Sequence, residues 1–470
     1  MRKPAFAQSS VVLPAVLGLA GLVALGTWWF AVSPQSQLKL RVPGTDQAPG
    51  SELGTNGNAV LAGRVLPGEG QPADLPGLWP QFRGPDRNAV LTQSVSLAQN
   101  WSSGGPRELW GVEVGEGYAG AVVLKGRVYV MDYDRTKRQD ALRCLSLQDG
   151  KEIWRFAYPD AVKRNHGMSR TAPAVTEKLV VGFGPKCHVV CLNPISGELR
   201  WGIDLVRQHG ATIPPWYAGQ CPLIDDGKVI LAPGGKEALL MAIGGESGDV
   251  VWKTPNPHAW KMTHSSVMPM EVGSERMYVY CANNGLVGVS ARDGSLLWET
   301  TDWKISIATV PSPLLLDQGR IFLSGGYNAG SLMLQVKKDG EHFRAQTLFK
   351  LAPEIFGATQ HTPVLYENHI YGVRADGKFV CLDLDGKPVW SSEAGHQFGL
   401  GSFLLADGLI FALNDSGLLR LFPASPAGYK PLAQAQVLQG RESWAPLALA
   451  GGRLLARDLT RLVCLEVGKQ

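Results

Sequence analysis

Histidine and cysteine are the residue types in this 470-residue chain that most readily ligate a metal or act as acid, base or nucleophile; the chain holds nine and seven of them. Cys187 and Cys191 are four residues apart on a predicted strand, about 13 Å at ~3.3 Å per residue, which is too far for a disulfide. The sequence has no CxxC or CxxCH pair, so it indicates neither structural zinc nor covalent haem. It also lacks a nucleophile elbow, a phosphate-binding loop and an HExxH motif. We therefore predict no catalytic residue and no metal site.

Four of the cysteines share one local setting, an RCL or VCL tripeptide. They are Cys144, Cys191, Cys381 and Cys464. A small buried thiol packs like an apolar side chain, so this repetition predicts core filling.

A longer phrase recurs along the chain, and three of its copies contain Cys144, Cys191 and Cys381. In five copies, one of which is VCLDLDGKPVW (380–390), a glycine lies four residues before a tryptophan. The pairs are Gly150/Trp154, Gly197/Trp201, Gly248/Trp252, Gly294/Trp298 and Gly386/Trp390. We predict that the glycine forms a tight turn with positive φ and that the tryptophan wedges between neighbouring repeats.

The repeat has a period of about 46 residues and holds four short strands, which is typical of a β-propeller. Eight such units fit the chain, with Phe349 at the tryptophan position of one of them. The sequence therefore predicts an all-β, eight-bladed propeller of four-stranded blades over residues 78–470, preceded by one N-terminal transmembrane helix. The predicted blade-docking residues are Trp110, Trp154, Trp201, Trp252, Trp298 and Trp390.

Closure of the ring is predicted from the two ends of this region. The last unit, residues 443–467, supplies only three strands. The segment RELWGVEV (107–114) lies before the first unit and carries its own Trp110. We predict that this strand completes the last blade, because closure removes both sheet edges.

One face of such a ring collects residues suited to binding. The loops from each outer strand to the next inner strand all emerge there, and six of the nine histidines lie in or beside them. Residues directly before the inner strands should point at the axis. These candidate funnel residues are Tyr118, Arg170, Gln220, His264, Gln360, His361 and Trp444. Aromatic, arginine and histidine side chains favour recognition of an extended peptide or a small anionic ligand.

Two other interpretations of the funnel residues stay open. In one, they only cover the open end of the ring and order axial water. In the other, His264 and His361 hold a metal, although no local ligand spacing supports this.

The N-terminal part differs in composition. Arg2 and Lys3 precede an uncharged apolar run at 11–32, and a run of roughly 20 such residues matches a bilayer. We predict a cytoplasmic segment 1–10 and a transmembrane signal anchor 11–32. A cleaved signal peptide is the alternative.

This anchor predicts a single-pass protein of the inner (plasma) membrane with its propeller on the periplasmic side. Residues 33–77 are rich in glycine and proline and are predicted to be a flexible linker. The segment WPQFRGPDR (79–87) follows. It is interpreted as packed on the propeller with Trp79 and Phe82 buried, the alternative being a partner-binding strap.

The repeated phrase resembles the tryptophan-docking motif of the pyrroloquinoline quinone repeat, Ala-x-Asp-x-x-Thr-Gly-x-x-x-Trp. Two groups of eight-bladed propellers share that repeat: quinoprotein dehydrogenases, and BamB-like scaffolds of outer-membrane protein assembly. The segment WPQFRGPDR is also similar to the opening of many BamB-related propellers. The dehydrogenases use adjacent cysteines, calcium and an aspartate base, but no Cys-Cys dipeptide occurs here.

The resemblance therefore implies a non-catalytic, exported scaffold that binds envelope proteins or peptides and needs no cofactor. The alternative is a periplasmic dehydrogenase that uses the quinone and calcium to oxidise alcohols or sugars. Nucleic acid is not an expected partner, because the formal net charge is only +4 and no basic stripe is visible.

Overall fold

The computed structural model describes residues 9–31, 57–92, 96–102 and 104–469. The chain divides into two compact units between Gln47 and Ala48. Helix α1 (Ser9–Ala31) belongs to the first unit. Among the described residues, no helix has both the length and the apolar character of a membrane span, so the span predicted at 11–32 is not confirmed.

The second unit is an eight-bladed propeller, as predicted. Three strands precede the first blade: β1 (Arg64–Pro67), β2 (Val90–Leu91) and β3 (Arg107–Glu113). Blade 1 comprises β4 (Val122–Leu124), β5 (Arg127–Asp134), β6 (Gln139–Ser146) and β7 (Glu152–Pro159), and blade 2 comprises β8 (Ala174–Val175), β9 (Val180–Phe183), β10 (His188–Leu192) and β11 (Leu199–Asp204). Blade 3 comprises β12 (Leu223–Asp225), β13 (Lys228–Leu231), β14 (Met241–Gly244) and β15 (Val250–Lys253), and blade 4 comprises β16 (Met268–Val272), β17 (Glu275–Ala282), β18 (Gly285–Ser290) and β19 (Leu296–Thr300).

The second half of the ring repeats this order. Blade 5 comprises β20 (Leu314–Leu316), β21 (Arg320–Gly325), β22 (Gly330–Asp339) and β23 (His342–Leu351), and blade 6 comprises β24 (Val364–Tyr366), β25 (His369–Val373), β26 (Phe379–Leu382) and β27 (Pro388–Ser391). Blade 7 comprises β28 (Phe403–Ala406), β29 (Leu409–Leu413), β30 (Leu418–Pro423) and β31 (Ala433–Gln436), and blade 8 contains β32 (Ala448–Ala450), β33 (Arg453–Arg457) and β34 (Arg461–Glu466). A short helix α2 (Leu205–His209) follows β11, and 3₁₀ turns lie at Ala59–Ala62 and Asp317–Gly319. Consecutive strands within each blade pair antiparallel.

The repeated glycine and tryptophan meet between blades. Gly197 turns the chain from β10 into β11 with φ +74°, and a Cβ added there would lie 2.7 Å from the ring of Trp154 in the preceding blade. The same relation joins Gly150 to Trp110, Gly248 to Trp201, Gly294 to Trp252 and Gly386 to Phe349. The predicted wedge is thus confirmed for these blades, and Phe349 does occupy a tryptophan position.

A β-bulge in the outer strand, directly before the aromatic residue, sets the direction of each of these rings. In β7 the ladder to β6 pairs Trp154 with Cys144 but skips Ile153. The register shifts at the equivalent point beside Trp201, Trp252, Trp298, Phe349 and Trp390. An extra residue bends the strand and re-aims a side chain, here toward the next blade. The cysteines that face tryptophans across the ladder are fully buried, which confirms that they fill the core.

The blades that lack the repeated phrase receive their tryptophans differently. Trp298 faces blade 5, and its indole N–H points at the sulfur of Met277 at 3.3 Å. Trp390 faces blade 7, donates to the carbonyl of Ser425 at 2.8 Å and packs beside Tyr429.

The ring closes as the sequence predicts. Strand β3 pairs antiparallel with β34 and places Trp110 opposite Cys464. The indole of Trp110 donates to the carbonyl of Leu147 in blade 1 at 3.0 Å. The eighth blade therefore combines the start and the end of the propeller, and no edge is left at the junction.

The linker predicted at 33–77 is wrong in its C-terminal part, while residues 33–56 lie outside the described residues. Strand β1 adds a fifth strand to blade 1 by pairing with β7. Val60 is fully buried against Gly202 of blade 2, and the Asn58 amide donates to the Gly202 carbonyl at 2.8 Å. By covering β7, strand β1 protects that outer strand from pairing with another chain. The glycine and proline content of this segment does not indicate such pairing.

We expect Gly197→Ala to reduce the free energy of unfolding by about 2–5 kcal/mol. Left-handed backbone costs a non-glycine residue about 1–2 kcal/mol, and overpacking against Trp154 adds about 1–3 kcal/mol. Gly227→Ala is the matched control, because Gly227 has φ +71° but open space around its Cβ position. Denaturant unfolding of both variants measures the difference, and equal losses would show that the indole contact contributes nothing.

Candidate functional site

A cavity of about 340 Å³ lies on the propeller axis at the predicted funnel. We call the face that carries it the upper face; it is formed by the loops from each outer strand to the next inner strand. The axial cavity is lined by Phe82, Tyr118, His166, Arg170, Trp216, Gly219, Cys221, His264, Ala308, Val310, Tyr327, Gln360, Thr362, Trp444 and Pro446. Five of the seven candidate funnel residues are among them.

The other two candidates lie behind the wall. Gln220 is fully buried, and its side-chain amide donates to the Ala232 carbonyl at 2.9 Å and accepts from the Ala232 N–H at 2.7 Å. It therefore joins the first two strands of blade 3. His361 is 8% exposed and packs against Phe403. Alternation along an extended segment explains both positions, because only every second side chain faces the axis.

A stack of side chains forms one wall of the cavity. The Arg170 guanidinium lies 5.0 Å from the centre of the Tyr118 ring, and that ring lies 5.0 Å from the Trp444 ring at 31°. The Tyr118 hydroxyl donates to the carboxylate of Glu442, and the Trp444 indole donates to Asp415 at 2.7 Å. The carboxylates of Glu442 and Asp415 thus accept hydrogen bonds from the stack, and these bonds hold the two rings in place.

Arg170 supplies the charge of the cavity. Its Nη2 donates to the Asn165 carbonyl at 3.1 Å, and its buried Nε has no hydrogen-bond partner. Burial lowers the pKa of Arg170 to about 10, and the nearby Tyr118 and Glu442 oppose this only in part. The side chain therefore stays protonated at neutral pH. Among the ion pairs of the described residues, none includes Arg170.

His264 is uncharged at neutral pH. Its Nε2 donates to the Tyr217 carbonyl at 2.9 Å, which fixes the tautomer. Burial, followed by the positive charge of Arg170, lowers the pKa of His264 to about 4. The imidazole is therefore a neutral wall of the cavity.

Residues 79–91 form a plug across the axis. Trp79 is 1% exposed and pairs with Val123 in blade 1, while the Pro80 carbonyl accepts from Val175 in blade 2. At the other end, β2 pairs parallel with β28 of blade 7. Trp79 is buried as predicted, and Phe82 is half-buried in the cavity lining.

Two arginines fasten the plug. Arg83 donates to the carbonyls of Thr362 and Pro363 in blade 6 at 2.7 and 2.8 Å. Arg87 donates to the Pro222 carbonyl in blade 3 at 3.0 Å. Sequence reasoning missed this role, since nothing local shows that a guanidinium will meet carbonyls over 100 residues away.

A side groove continues from the axial cavity across the loops of blades 3 to 5. It is lined by Pro214, Pro215, Trp216, Lys261, Met262, Thr263, His264, Asn283, Asn284, Lys304, Ile305, Ser306, Ile307, Ala308 and Thr309. Trp216, His264 and Ala308 line both spaces. The described lining of both contains no aspartate or glutamate.

The donor set of this site does not fit a calcium-bound quinone. Calcium prefers carboxylate and carbonyl oxygens, whereas the charged group in the cavity is the cation Arg170. Within the part of the chain that the structure describes, no three His, Cys, Asp or Glu side chains are grouped to hold a metal. The metal site suggested for His264 and His361 therefore has no third His, Cys, Asp or Glu ligand among the described residues.

We expect His361→Gln to flatten the loss of stability in acid. Burial lowers the pKa of His361 from 6.5 to about 4. Between these values the unfolded chain binds a proton that the folded chain does not, so the free energy of unfolding falls as pH falls. This histidine accounts for about 2 kcal/mol of that fall between pH 7 and 4.5.

Denaturant unfolding at several pH values tests this. His342→Gln, at an exposed position in the hairpin of blade 5, is the control and should keep the wild-type profile. A His361→Gln profile identical to wild type would contradict a neutral buried imidazole.

The comparison with known proteins agrees with the fold. Among solved structures, BamB from Moraxella catarrhalis superposes with a TM-score of 0.53 at 12% identity, covering 77% of this chain and 99% of that one. A quinohemoprotein alcohol dehydrogenase from Comamonas testosteroni gives a TM-score of 0.44 at 12% identity, covering 85% and 82%. At 12% identity, the likeness to the Moraxella catarrhalis protein shows the fold alone.

The sequence comparisons are more specific. No curated protein matches the chain. The sequence profile of a family described as outer membrane protein assembly factor BamB matches residues 86–213 and 137–391. These ranges together span well over half of the chain, which therefore belongs to that BamB family.

Proposed function

We propose that this chain is a non-catalytic, exported propeller that acts as a protein-interaction scaffold in the cell envelope. One observation carries the proposal: the axial cavity opens into a groove along the upper face, and both are lined by aromatic and cationic side chains. Trp, Tyr and Arg are the residues that most often anchor protein interfaces. Membership of the BamB family supports protein partners in the envelope.

The chemistry of the groups in the cavity also favours binding over catalysis. His264 is neutral and uses Nε2 on a backbone carbonyl. Cys221 is buried, and burial raises the pKa of its thiol, which keeps it protonated. The tyrosine in the wall is committed to Glu442. We therefore do not adopt the alternative of a quinone-dependent dehydrogenase.

The proposed location of the propeller is outside the cytoplasm, on the periplasmic side of the inner membrane. It is supported by Arg2 and Lys3 before the apolar run 11–32 and by the family of the chain. We propose that this run directs the chain to the inner membrane, as a signal anchor with the propeller on the periplasmic side. Protease accessibility of the propeller in cells with a permeabilised outer membrane tests the orientation.

Photo-crosslinking in cells tests the binding surface. A benzoylphenylalanine at Ile307, which is 55% exposed in the side groove, should capture an envelope protein. The matched control is Ile195, which is 63% exposed in the hairpin between β10 and β11 on the opposite face and should capture none. Mass spectrometry identifies the captured chain.

Two results would contradict the scaffold function. The first is capture from Ile195 but not from Ile307. The second is dye-linked alcohol oxidation by the purified chain after addition of the quinone and calcium.

A further inference from the structure

Among the residues that the structure describes, none forms an ion pair with Arg170, which lies in a cavity with aromatic walls. Its Nε is buried without a hydrogen-bond partner, and Nη2 meets only a backbone carbonyl. The nearest acid, Glu442, is bonded to the Tyr118 hydroxyl. Arg170 is half-buried, so its guanidinium has lost part of its water without gaining a charged partner, which is costly. An incoming anion therefore binds more strongly here than at a fully exposed cation.

The side groove extends this positive lining outward. Lys261 and Lys304 are exposed along it, and no carboxylate pairs with either lysine among the described residues. The groove is also lined by the exposed Ile307 and by Trp216, which it shares with the cavity, and both offer apolar contact. The two connected spaces together therefore present three cations and apolar surface.

The shape limits what enters. The plug, with Phe82 in the cavity lining, crosses the axis beneath it. The occupant must therefore arrive from the upper face and end at Arg170. A volume of about 340 Å³ is at the small end of ligand pockets and admits side chains rather than a folded domain.

We propose that the axial cavity and the side groove bind an extended acidic segment of a partner protein. One carboxylate of the segment pairs with Arg170 beside the Tyr118 and Trp444 rings, and further acidic side chains meet Lys261 and Lys304. This rests on the scaffold function proposed above and names the chemistry of the partner segment. Alternate side chains of an extended peptide face the same way, so acids at every second position all face the cations of the site.

The probe is a ten-residue peptide of alternating glutamate and tyrosine, acetylated and amidated at its ends, titrated into the purified full-length chain by fluorescence anisotropy. The matched peptide replaces every glutamate by glutamine. We expect the glutamate peptide to bind at least 10-fold more tightly, since charge-assisted bonds to a partly desolvated cation are strong. Its affinity should fall as salt rises from 50 to 500 mM.

Three variants locate the contact. Arg170→Met should weaken the glutamate peptide at least 10-fold and leave the glutamine peptide unchanged. Lys304→Gln, on the exposed groove, should weaken it about 3-fold, as expected for a partly screened ion pair. Lys387→Gln is the control, because Lys387 is exposed in the hairpin between β26 and β27 on the opposite face, and should bind as wild type. Thermal melting shows which variants fold; if Arg170→Met does not, Lys304→Gln carries the test.

Several outcomes would overturn the proposal. Equal binding of the two peptides would show that charge is not recognised. Wild-type affinity in Lys304→Gln or in folded Arg170→Met would place the peptide elsewhere. If N-acetyltyrosine binds as tightly as the glutamate peptide, the site takes a small carboxylate instead. Absence of peptide binding together with capture from Ile307 would leave the scaffold function standing and remove this inference alone.

Discussion

Contact between an aromatic ring of one blade and the glycine turn of the next holds the ring together. Each blade has two faces, and neither is buried without a neighbour. A buried indole removes about 150–250 Å² from water. The facing glycine has no Cβ, which leaves room for the ring, and it also adopts the positive φ of the turn. Because the bulge before each ring aims it across the gap, stability is distributed over successive interfaces, and the radius of the ring is fixed by them.

The closed ring leaves its axis to be filled by other means. Blades 1, 2, 3, 6 and 7 all contribute partners to the plug, whose arginines donate to carbonyls at the start of inner strands. These bonds satisfy backbone groups that would otherwise face the channel. The plug also forms the floor of the axial cavity. The segment that closes the channel therefore helps to shape the candidate binding site.

The candidate site depends on distribution of charge more than on any single reactive group. The acids near the cavity are used behind its wall, where they orient Tyr118 and Trp444. The imidazole in the wall is held neutral by burial. The groups that reach the open space are one half-buried guanidinium, a set of aromatic rings and, in the side groove, two exposed lysines. This arrangement selects anions by the cost of leaving Arg170 unpaired.

The sequence by itself determined the number of blades, the closure by β3 and the docking tryptophans, because each follows from short-range periodicity and turn chemistry that repeat in every unit. It also placed Tyr118, Arg170, His264, Gln360 and Trp444 near the axis, since they precede inner strands. Only the tertiary structure decided that Gln220 and His361 face away, that residues 57–67 pack on the outer strands of blades 1 and 2, and that Arg83 and Arg87 cross the axis. Those outcomes depend on contacts between residues far apart in the chain, whose partners no local pattern identifies.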